Sequence, residues 1–338
     1  MYRPFPFVLL LCLASCDGCR RDPHQIDVSD VEPLELRVYR LDQLLFHAEP
    51  QEMQQVSLRA YAELGEFYQV YVEEILQGAP VDHPELSAFL THFVNDPDWS
   101  AVQEAVDSVF PDLEPEREQL EQGFRRLKAV FPDSIIPSLA AFNSGYNYGI
   151  YPTDSVLGVG LEWFIGQEHP VIGLLAPDAF PQYVKQRMHP GMLVPSAMKG
   201  WLMVHYLKPT PGEDVLTELV ETGKVMVLLD GLLPDAPSHL KFAFTPEQLA
   251  WVEQHEFNIW KEIVAGDKLF SKKPADVGRL FNDGPFTPGF PRESPGHIGE
   301  WIGYRMVRAY MDANPKVTFE QLFQMNDPRE ILRHYKPR

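Results

Sequence analysis

All three cysteines of the 338-residue chain, Cys12, Cys16 and Cys19, lie within its first 19 residues. The long remainder cannot form a disulfide within itself, so a hydrophobic core must hold it together. A content of 45% hydrophobic and 12% aromatic residues is ordinary for a globular protein and supports such a core. We interpret residues 34–338 as one globular domain, a length that one large domain can reach.

The first 15 residues have the features of a secretory signal peptide. Arg3 precedes an apolar run, residues 5–13, that is too short to span a bilayer as a stable helix. The run ends in "LASC", an aliphatic residue and two small ones before Cys16, which fits the bacterial lipobox. From this match we predict that residues 1–15 are removed and that Cys16 is lipidated. Several acyl chains on one residue would anchor the protein far better than a single chain. An ordinary signal peptide followed by a chance cysteine is the alternative.

Residues 17–33, "DGCRRDPHQIDVSDVEP", are polar and lack periodicity. We therefore interpret residues 16–33 as a lipidated tether between membrane and body. The whole chain carries 29 basic and 48 acidic side chains, a formal net charge of −19. Such a surface repels nucleic acid and anionic headgroups, so we exclude nucleic acid as a partner and assign membrane attachment to the lipid.

The apolar periodicity predicts a mostly helical α+β fold. Alternation near residues 34–39 is typical of a short strand, and β-rich segments at 133–142 and 154–166 predict two more. Pro137 suggests an edge strand or a bulge in the first of these segments. Helical spacing occurs over residues 51–77, 85–94, 99–109, 116–130, 179–187, 192–207, 213–229, 245–265, 298–313 and 318–325. The order of these elements predicts a small β-sheet packed with two helical groups.

The stretch "WVEQHEFNIW", residues 251–260, begins like the HExxH zinc signature at His255 and Glu256. The second histidine should stand one helical turn later, at a position occupied by Ile259. On a helix, Glu256 shares the apolar stripe with Trp260, whereas His255 falls towards its boundary. A buried carboxylate needs a partner. Glu256 is therefore either a structural glutamate or a functional acid with a raised pKa.

Two glycine-containing helices complete the candidate site. Gly223 lies between Glu221 and Lys224 in mid-helix, which indicates close packing or a nearby ligand. Gly299 and Gly303 are four residues apart and would let a neighbouring element approach closely. The candidate functional pocket therefore comprises Glu221, Lys224, Glu256, Trp260, Trp301 and Arg305.

The 11 histidines do not pair at the spacing of helical metal ligands, and the chain contains no HxH, P-loop, GxGxxG or GxSxG motif. Cysteines occur only before residue 20, so the globular part, residues 34–338, contains no CxxC motif. We therefore predict no bound metal and no cofactor. Ser144 and Gly145 follow each other in "NSGYNYG", which we interpret as a turn.

Six blocks in order resemble the gliding-motility lipoprotein GldB family of Bacteroidota. They are "LRVYRLDQLLF", "VLGVGLEWFIG", "ELVETGKVMVLLDGLLP", "WVEQHEFNIWKEI", "PFTPGFPRESPGHIGEWIGYRMVRAYM" and "DPREILRHYKP". The second block departs from the family, with Glu162 and Trp163 where an "LDxYLG"-like run is expected. The resemblance implies a lipoprotein of the cell envelope connected with gliding motility or its associated secretion machinery. It supplies no catalytic activity.

The family also shares features with zinc-metallopeptidase-like (zincin) domains. The HExxH slot would fall in residues 197–207, which contain no such motif. Glu221-Thr222-Gly223 resembles the downstream Glu-Gly, and residues 299–307 resemble the last helix. The resemblance therefore implies a zincin-like fold without HExxH, so that "HEFNIW" is not a decayed zinc site.

The main hypothesis is a non-enzymatic lipoprotein that acts through contacts with envelope proteins, anchored in the outer membrane and facing the periplasm. Asp17 directly after Cys16 would favour the inner membrane under one bacterial sorting rule. A metal-dependent hydrolase with unusual ligands is the second hypothesis. The third is a periplasmic ligand-binding module whose pocket includes Trp301 and Arg305.

Overall fold

The computed structural model describes residues 24–209 and 212–338. The predicted signal peptide, the lipidation site Cys16 and the first part of the tether, residues 16–23, lie outside the described residues. Residues 24–33 of the tether lie against the body.

Seventeen α-helices and four β-strands form within the described residues, so the predicted mostly helical α+β class is confirmed. The helices are α1 Leu41–Phe46, α2 Met53–Leu64, α3 Glu66–Val70, α4 Leu86–Val94, α5 Pro97–Val109, α6 Glu114–Val130, α7 Pro170–Leu174, α8 Gln182–Lys185, α9 Leu193–His205, α10 Val215–Leu232, α11 Ser238–Lys241, α12 Pro246–Gln254, α13 Glu256–Val264, α14 Pro274–Phe281, α15 Ile298–Ala313, α16 Phe319–Gln324 and α17 Pro328–Leu332. None of these helices is both long and apolar enough to cross a membrane.

The four strands form one mixed sheet. They are β1 Val38–Arg40, β2 Ser138–Phe142, β3 Ile150–Pro152 and β4 Val156–Gly160. Their spatial order is β1-β2-β4-β3, with β2 parallel to both neighbours and β3 antiparallel to β4. Pro137 immediately precedes β2, where its missing N–H breaks no ladder bond. The predicted edge position of this strand is therefore wrong, because β2 lies inside the sheet.

Alternate residues of β2 enter two hydrophobic cores on opposite faces of the sheet. Ala140 and Phe142 pack with α1 to α4 in the smaller core, whereas Leu139 and Ala141 pack in the larger core formed by later helices. This alternation follows from the period of two in a strand. The small sheet lies between two helical groups, as predicted.

Helices α10 and α15 cross with almost no space between their backbones. A Cβ added to Gly223 would lie 2.3 Å from the carbonyl oxygen of Gly303, and one added to Gly303 would lie 2.1 Å from that of Leu219. Gly299 faces a different helix, since its added Cβ would lie 2.8 Å from the ring of Phe281. The close approach predicted for Gly303 is present, and the two glycines of α15 serve two different neighbours.

The predicted helix over residues 245–265 divides into α12 and α13. It starts with a capping box in which the Gln248 N–H donates to Thr245 Oγ1 at 3.2 Å and the Thr245 N–H to Gln248 Oε1 at 3.0 Å. His255 ends α12 because its backbone, at φ −113° and ψ 13°, leaves the helical region. The His255 ring stacks on Trp251 at 4.6 Å between ring centroids.

Candidate functional site

Four of the six candidate residues meet in one cluster between α13, α15 and the C-terminal segment. Glu256 is 2% exposed, and its carboxylate lies 3.1 Å from Arg305 Nη2. The Tyr335 hydroxyl donates to Glu256 Oε1 at 3.0 Å. Arg305 lies over the ring of Trp301, and Trp260 packs edge-on against Tyr335. The buried carboxylate thus has the partners that burial requires.

Glu221 and Lys224 form a separate buried ion pair on α10. Lys224 Nζ donates to Glu221 Oε1 at 2.7 Å and to the Met325 carbonyl at 2.7 Å. Burial lowers the pKa of Lys224, and the hydrogen bond and charge of Glu221 oppose that shift only in part. The pair joins α10 to the end of α16. None of the six candidate residues lines either of the two cavities described below.

The HExxH-like stretch has no metal-site geometry. Ile259 is buried in the core, and His255 Nδ1 lies 2.7 Å from the Trp251 carbonyl oxygen. In residues 197–207, where the zincin-like resemblance would place HExxH, His205 Nε2 lies 3.1 Å from the Thr153 carbonyl oxygen. Over residues 24–209 and 212–338, no group of three or more His, Cys, Asp or Glu side chains is placed to hold a metal ion.

Glu162 is a second buried carboxylate, and it has no cation partner in the described part of the chain. Its Oε1 accepts hydrogen bonds from Ser144 Oγ at 2.5 Å, the Ser144 N–H at 2.8 Å and the Tyr146 N–H at 3.2 Å. Its Oε2 is buried without a hydrogen-bond partner. Burial raises the pKa of Glu162 to about 7, even though these hydrogen bonds favour the charged form.

Beside this carboxylate, the rings of Tyr146, Trp163 and Phe180 pack against one another, and Trp163 also lines a neighbouring cavity. Tyr146 packs edge-on against Trp163 and Phe180, with ring centroids 5.9 and 5.5 Å apart. The Tyr146 hydroxyl and Trp163 Nε1 are also buried without partners. Burial and the Glu162 charge raise the pKa of Tyr146 well above its usual range. Ser144 and Glu162 lie 18 residues apart in the sequence, and the turn at 143–146 brings them together.

Two adjoining cavities of about 290 and 280 Å³ form what we term the Arg187 groove. They share Arg187, Met192 and Ala243, and Trp163 lines the first of them. Each is close to the lower limit of about 300 Å³ for small-molecule sites. The first cavity is lined mainly by apolar side chains beside Arg187 and Asp283, whereas the second is lined by both polar and apolar side chains.

Charges of alternating sign continue from the groove to the start of α15. Arg187 Nη1 lies 2.8 Å from Asp283 Oδ1, and His297 Nδ1 lies 3.5 Å from the same oxygen. Burial opposes ionisation of Asp283, but its bonds to His297 and Arg187 lower its pKa well below the usual range. Lys199 Nζ lies 2.5 Å from the buried Glu300, where burial is likewise outweighed by Lys199 and His297 and the pKa is lowered.

His297 precedes α15 with a left-handed backbone, at φ 41° and ψ 39°. Its Nε2 lies 2.9 Å from the Phe242 carbonyl oxygen, which fixes the ring beside Asp283. A non-glycine residue in this region is strained by about 1–3 kcal/mol, a feature that clusters at functional sites. Sequence reasoning missed this site because Arg187, Asp283 and His297 lie far apart in the chain and form no motif. The strained His297 before a helix start left no signal in the residue pattern.

The fold and these sites define a mostly helical α+β protein with paired charges in its interior and a partly apolar surface groove. A model of the family described as gliding motility protein GldB matches residues 21–337, and the chain belongs to this lipoprotein family. Membership makes it a gliding-motility-related protein associated with the cell envelope. Neither the curated proteins nor the solved structures contain a match. The zincin-like resemblance stays a prediction.

Proposed function

We propose that this protein is a lipoprotein of the outer membrane that faces the periplasm. It supports gliding motility, or the protein secretion machinery linked to it, through contacts with envelope proteins and without catalysis. The observation that carries the proposal is the match of the motility family over residues 21–337, which covers nearly the whole chain. The anchor in this proposal is the acylated Cys16.

The candidate residues support a non-catalytic role. The charged groups of Glu221, Lys224, Glu256 and Arg305 bind one another inside the protein. Breaking such pairs would leave a buried charge without compensation, so they are suited to holding helices together.

Deletion of the gene tests the role in motility and secretion. We expect slower colony spreading, loss of secreted proteins from the medium, or both, with recovery on expression of the wild-type protein. Normal spreading together with normal secretion in the deletion strain would contradict the proposal.

A metal-dependent hydrolase with unusual ligands is the competing function from the sequence analysis. Elemental analysis of the body, residues 27–338, purified without chelators separates the two. We expect less than stoichiometric metal. One zinc per chain would overturn the non-catalytic proposal, and Glu221→Gln would then test that ligand.

The Arg187 groove favours a second function, binding of a small ligand in the periplasm. Its cavities combine apolar walls with Arg187 and Asp283, the kind of lining such sites have. A ligand that binds the folded protein raises its melting temperature. Screening wild type against Arg187→Ala would support this function if a ligand stabilised only the wild type, whereas no shift with any compound would contradict it.

A further inference from the structure

The last part of the predicted tether and the residues that follow it form an ordered strap, which we define as residues 24–36. His24 Nε2 lies 2.9 Å from the carbonyl oxygen of Met311, near the C-terminal end of α15. Ile26 packs at Gly231 on α10, where an added Cβ would lie 3.2 Å from Ile26 Cδ1 and 3.2 Å from the Phe319 ring. The strap therefore begins where the ends of α10 and α15 and the start of α16 meet.

Helix α6 holds the rest of the strap. Arg125 donates to the Val31 carbonyl at 2.8 and 2.6 Å and to the Val28 carbonyl at 3.0 Å. Further along, the Leu36 N–H donates to Glu121 Oε1 at 2.8 Å. Successive strap residues meet successively earlier residues of α6, so the strap runs antiparallel to this helix. Hydrogen bonds in which one partner is charged are stronger than neutral ones, so these contacts hold the strap on α6.

The strap and the Arg187 groove lie at opposite ends of α15. His24 contacts Met311 near the C-terminus, and Asp283 in the groove contacts His297 before the N-terminus. Fourteen residues separate His297 from Met311, which corresponds to roughly 21 Å along a helix axis. A surface that contacts the strap end can therefore lie well away from the groove.

The docked strap also shortens the chain between anchor and body. Eight residues separate Cys16 from His24, and they can span at most about 28 Å. If the body were first held at residue 34, eighteen residues would separate them and could span about 63 Å. The chain that leads from Cys16 therefore first contacts the body near the C-terminal end of α15.

We propose that the strap orients the body on the membrane. The end of the molecule formed by the C-termini of α10 and α15 faces the lipid surface, and the Arg187 groove faces away from it towards periplasmic partners. This inference rests on the proposed lipid anchor at Cys16. In this proposal, the strap serves to present the groove to periplasmic partners. The partner of the membrane-facing end is the lipid surface.

The test places a fluorophore at either end of α15 in the full-length, lipidated protein. Lys316 is exposed and lines a cavity beside the strap, and Gln186 is exposed and lines the groove. Lys316→Cys and Gln186→Cys would each be labelled in a Cys19→Ser background, since Cys16 is blocked by lipid. The protein is incorporated into phosphatidylcholine vesicles that contain headgroup-spin-labelled lipid as quencher.

We expect several-fold stronger quenching at position 316 than at position 186. Arg125→Ala removes the three hydrogen bonds to the strap, and Ile26→Ser removes its apolar contact from the strap side. Both should bring the two quenching values together while the protein stays on the vesicles. Arg59→Ala, at an exposed arginine of α2, is the matched control and should leave the difference unchanged.

Equal quenching at the two positions in the parent protein would overturn the proposal, whether or not the strap variants fold. A difference that persists in folded Arg125→Ala and Ile26→Ser would overturn it as well. Vesicle flotation separates this failure from failure of the anchor. A parent protein that does not float refutes lipid anchoring and the orientation with it, whereas one that floats without preferred orientation refutes the strap alone.

Discussion

Glu162 and Glu256 are both buried glutamates, and the protein stabilises them in different ways. Glu256 has Arg305 within 3.1 Å and a tyrosine hydroxyl, so its charge is compensated. Glu162 has only neutral donors and an unpartnered Oε2, and burial raises its pKa to about 7. One carboxyl is an ion-pair partner, and the other is a neutral or partly protonated group at neutral pH.

Glu162→Gln should make stability less dependent on pH. The folded-state pKa of Glu162 is raised from 4.5 to about 7, so its contribution is fully present below pH 4.5 and is lost as pH rises through 7. Relative to wild type, we expect the variant to gain about 2–3 kcal/mol of unfolding free energy between pH 5 and pH 8. Urea denaturation at both pH values measures this. Exposed Glu168→Gln is the control, and a pH-independent difference for Glu162→Gln would contradict the assignment.

Glu256→Ala should lower the free energy of unfolding by about 2–3 kcal/mol, because Arg305 and the Tyr335 hydroxyl would lose their shared acceptor. Glu253→Ala, at an exposed position of α12, should change it by less than about 0.5 kcal/mol. Chemical denaturation with the double variant Glu256→Ala/Arg305→Ala measures the coupling. Additive effects of the two substitutions would show that the pair contributes nothing.

At the scale of elements, the crossing of α10 and α15 depends on Gly223 and Gly303. Because these residues have no side chains, the two helix backbones are in direct contact. Helix propensity alone favours alanine over glycine by about 1 kcal/mol. At Gly303 the added methyl group would collide with a backbone carbonyl, which cannot rotate away as a side chain could. Packing and propensity therefore predict effects of opposite sign.

Gly303→Ala should lower the free energy of unfolding by about 3 kcal/mol, the upper part of the range for overpacking. Gly173→Ala is the matched control on α7, because nothing lies within 4 Å of its added Cβ. That control should be neutral or stabilising by up to about 1 kcal/mol. Thermal unfolding of both proteins measures the effects, and a stabilised Gly303→Ala would show that the helices separate easily.

The sequence predicted those features of the helices and strands that depend on residues close together in the chain. The Thr245–Gln248 capping box and the bounds of α15 follow from residues within a few positions of each other. The interior position of β2 and the break at His255 depend on tertiary packing. The Arg187 groove depends on residues about 100 positions apart, so periodicity could not reveal it.

The candidate residues show the same limit. The burial of Glu256 could be predicted from its place on an apolar stripe, and the burial is observed. Its partner Tyr335 could not, because the C-terminal segment reaches α13 only in the folded chain. Glu162 and Ser144 were visible as residues, but their pairing needed the turn between β2 and β3.

At the scale of the whole molecule, the sheet separates two cores, and the strap attaches the N-terminal segment to the larger one. In the orientation that we propose, the lipid anchor, the strap and the groove follow one another along α15 from the membrane outwards.

The most direct test of this account is complementation of a deletion strain with Cys16→Ser. We predict that the variant folds and is exported but is released from the membrane fraction, and that colony spreading and secretion stay at the level of the deletion strain. Wild-type protein and the Cys19→Ser control should restore both to normal. Full restoration by Cys16→Ser would contradict the claim that this protein works from a lipid anchor.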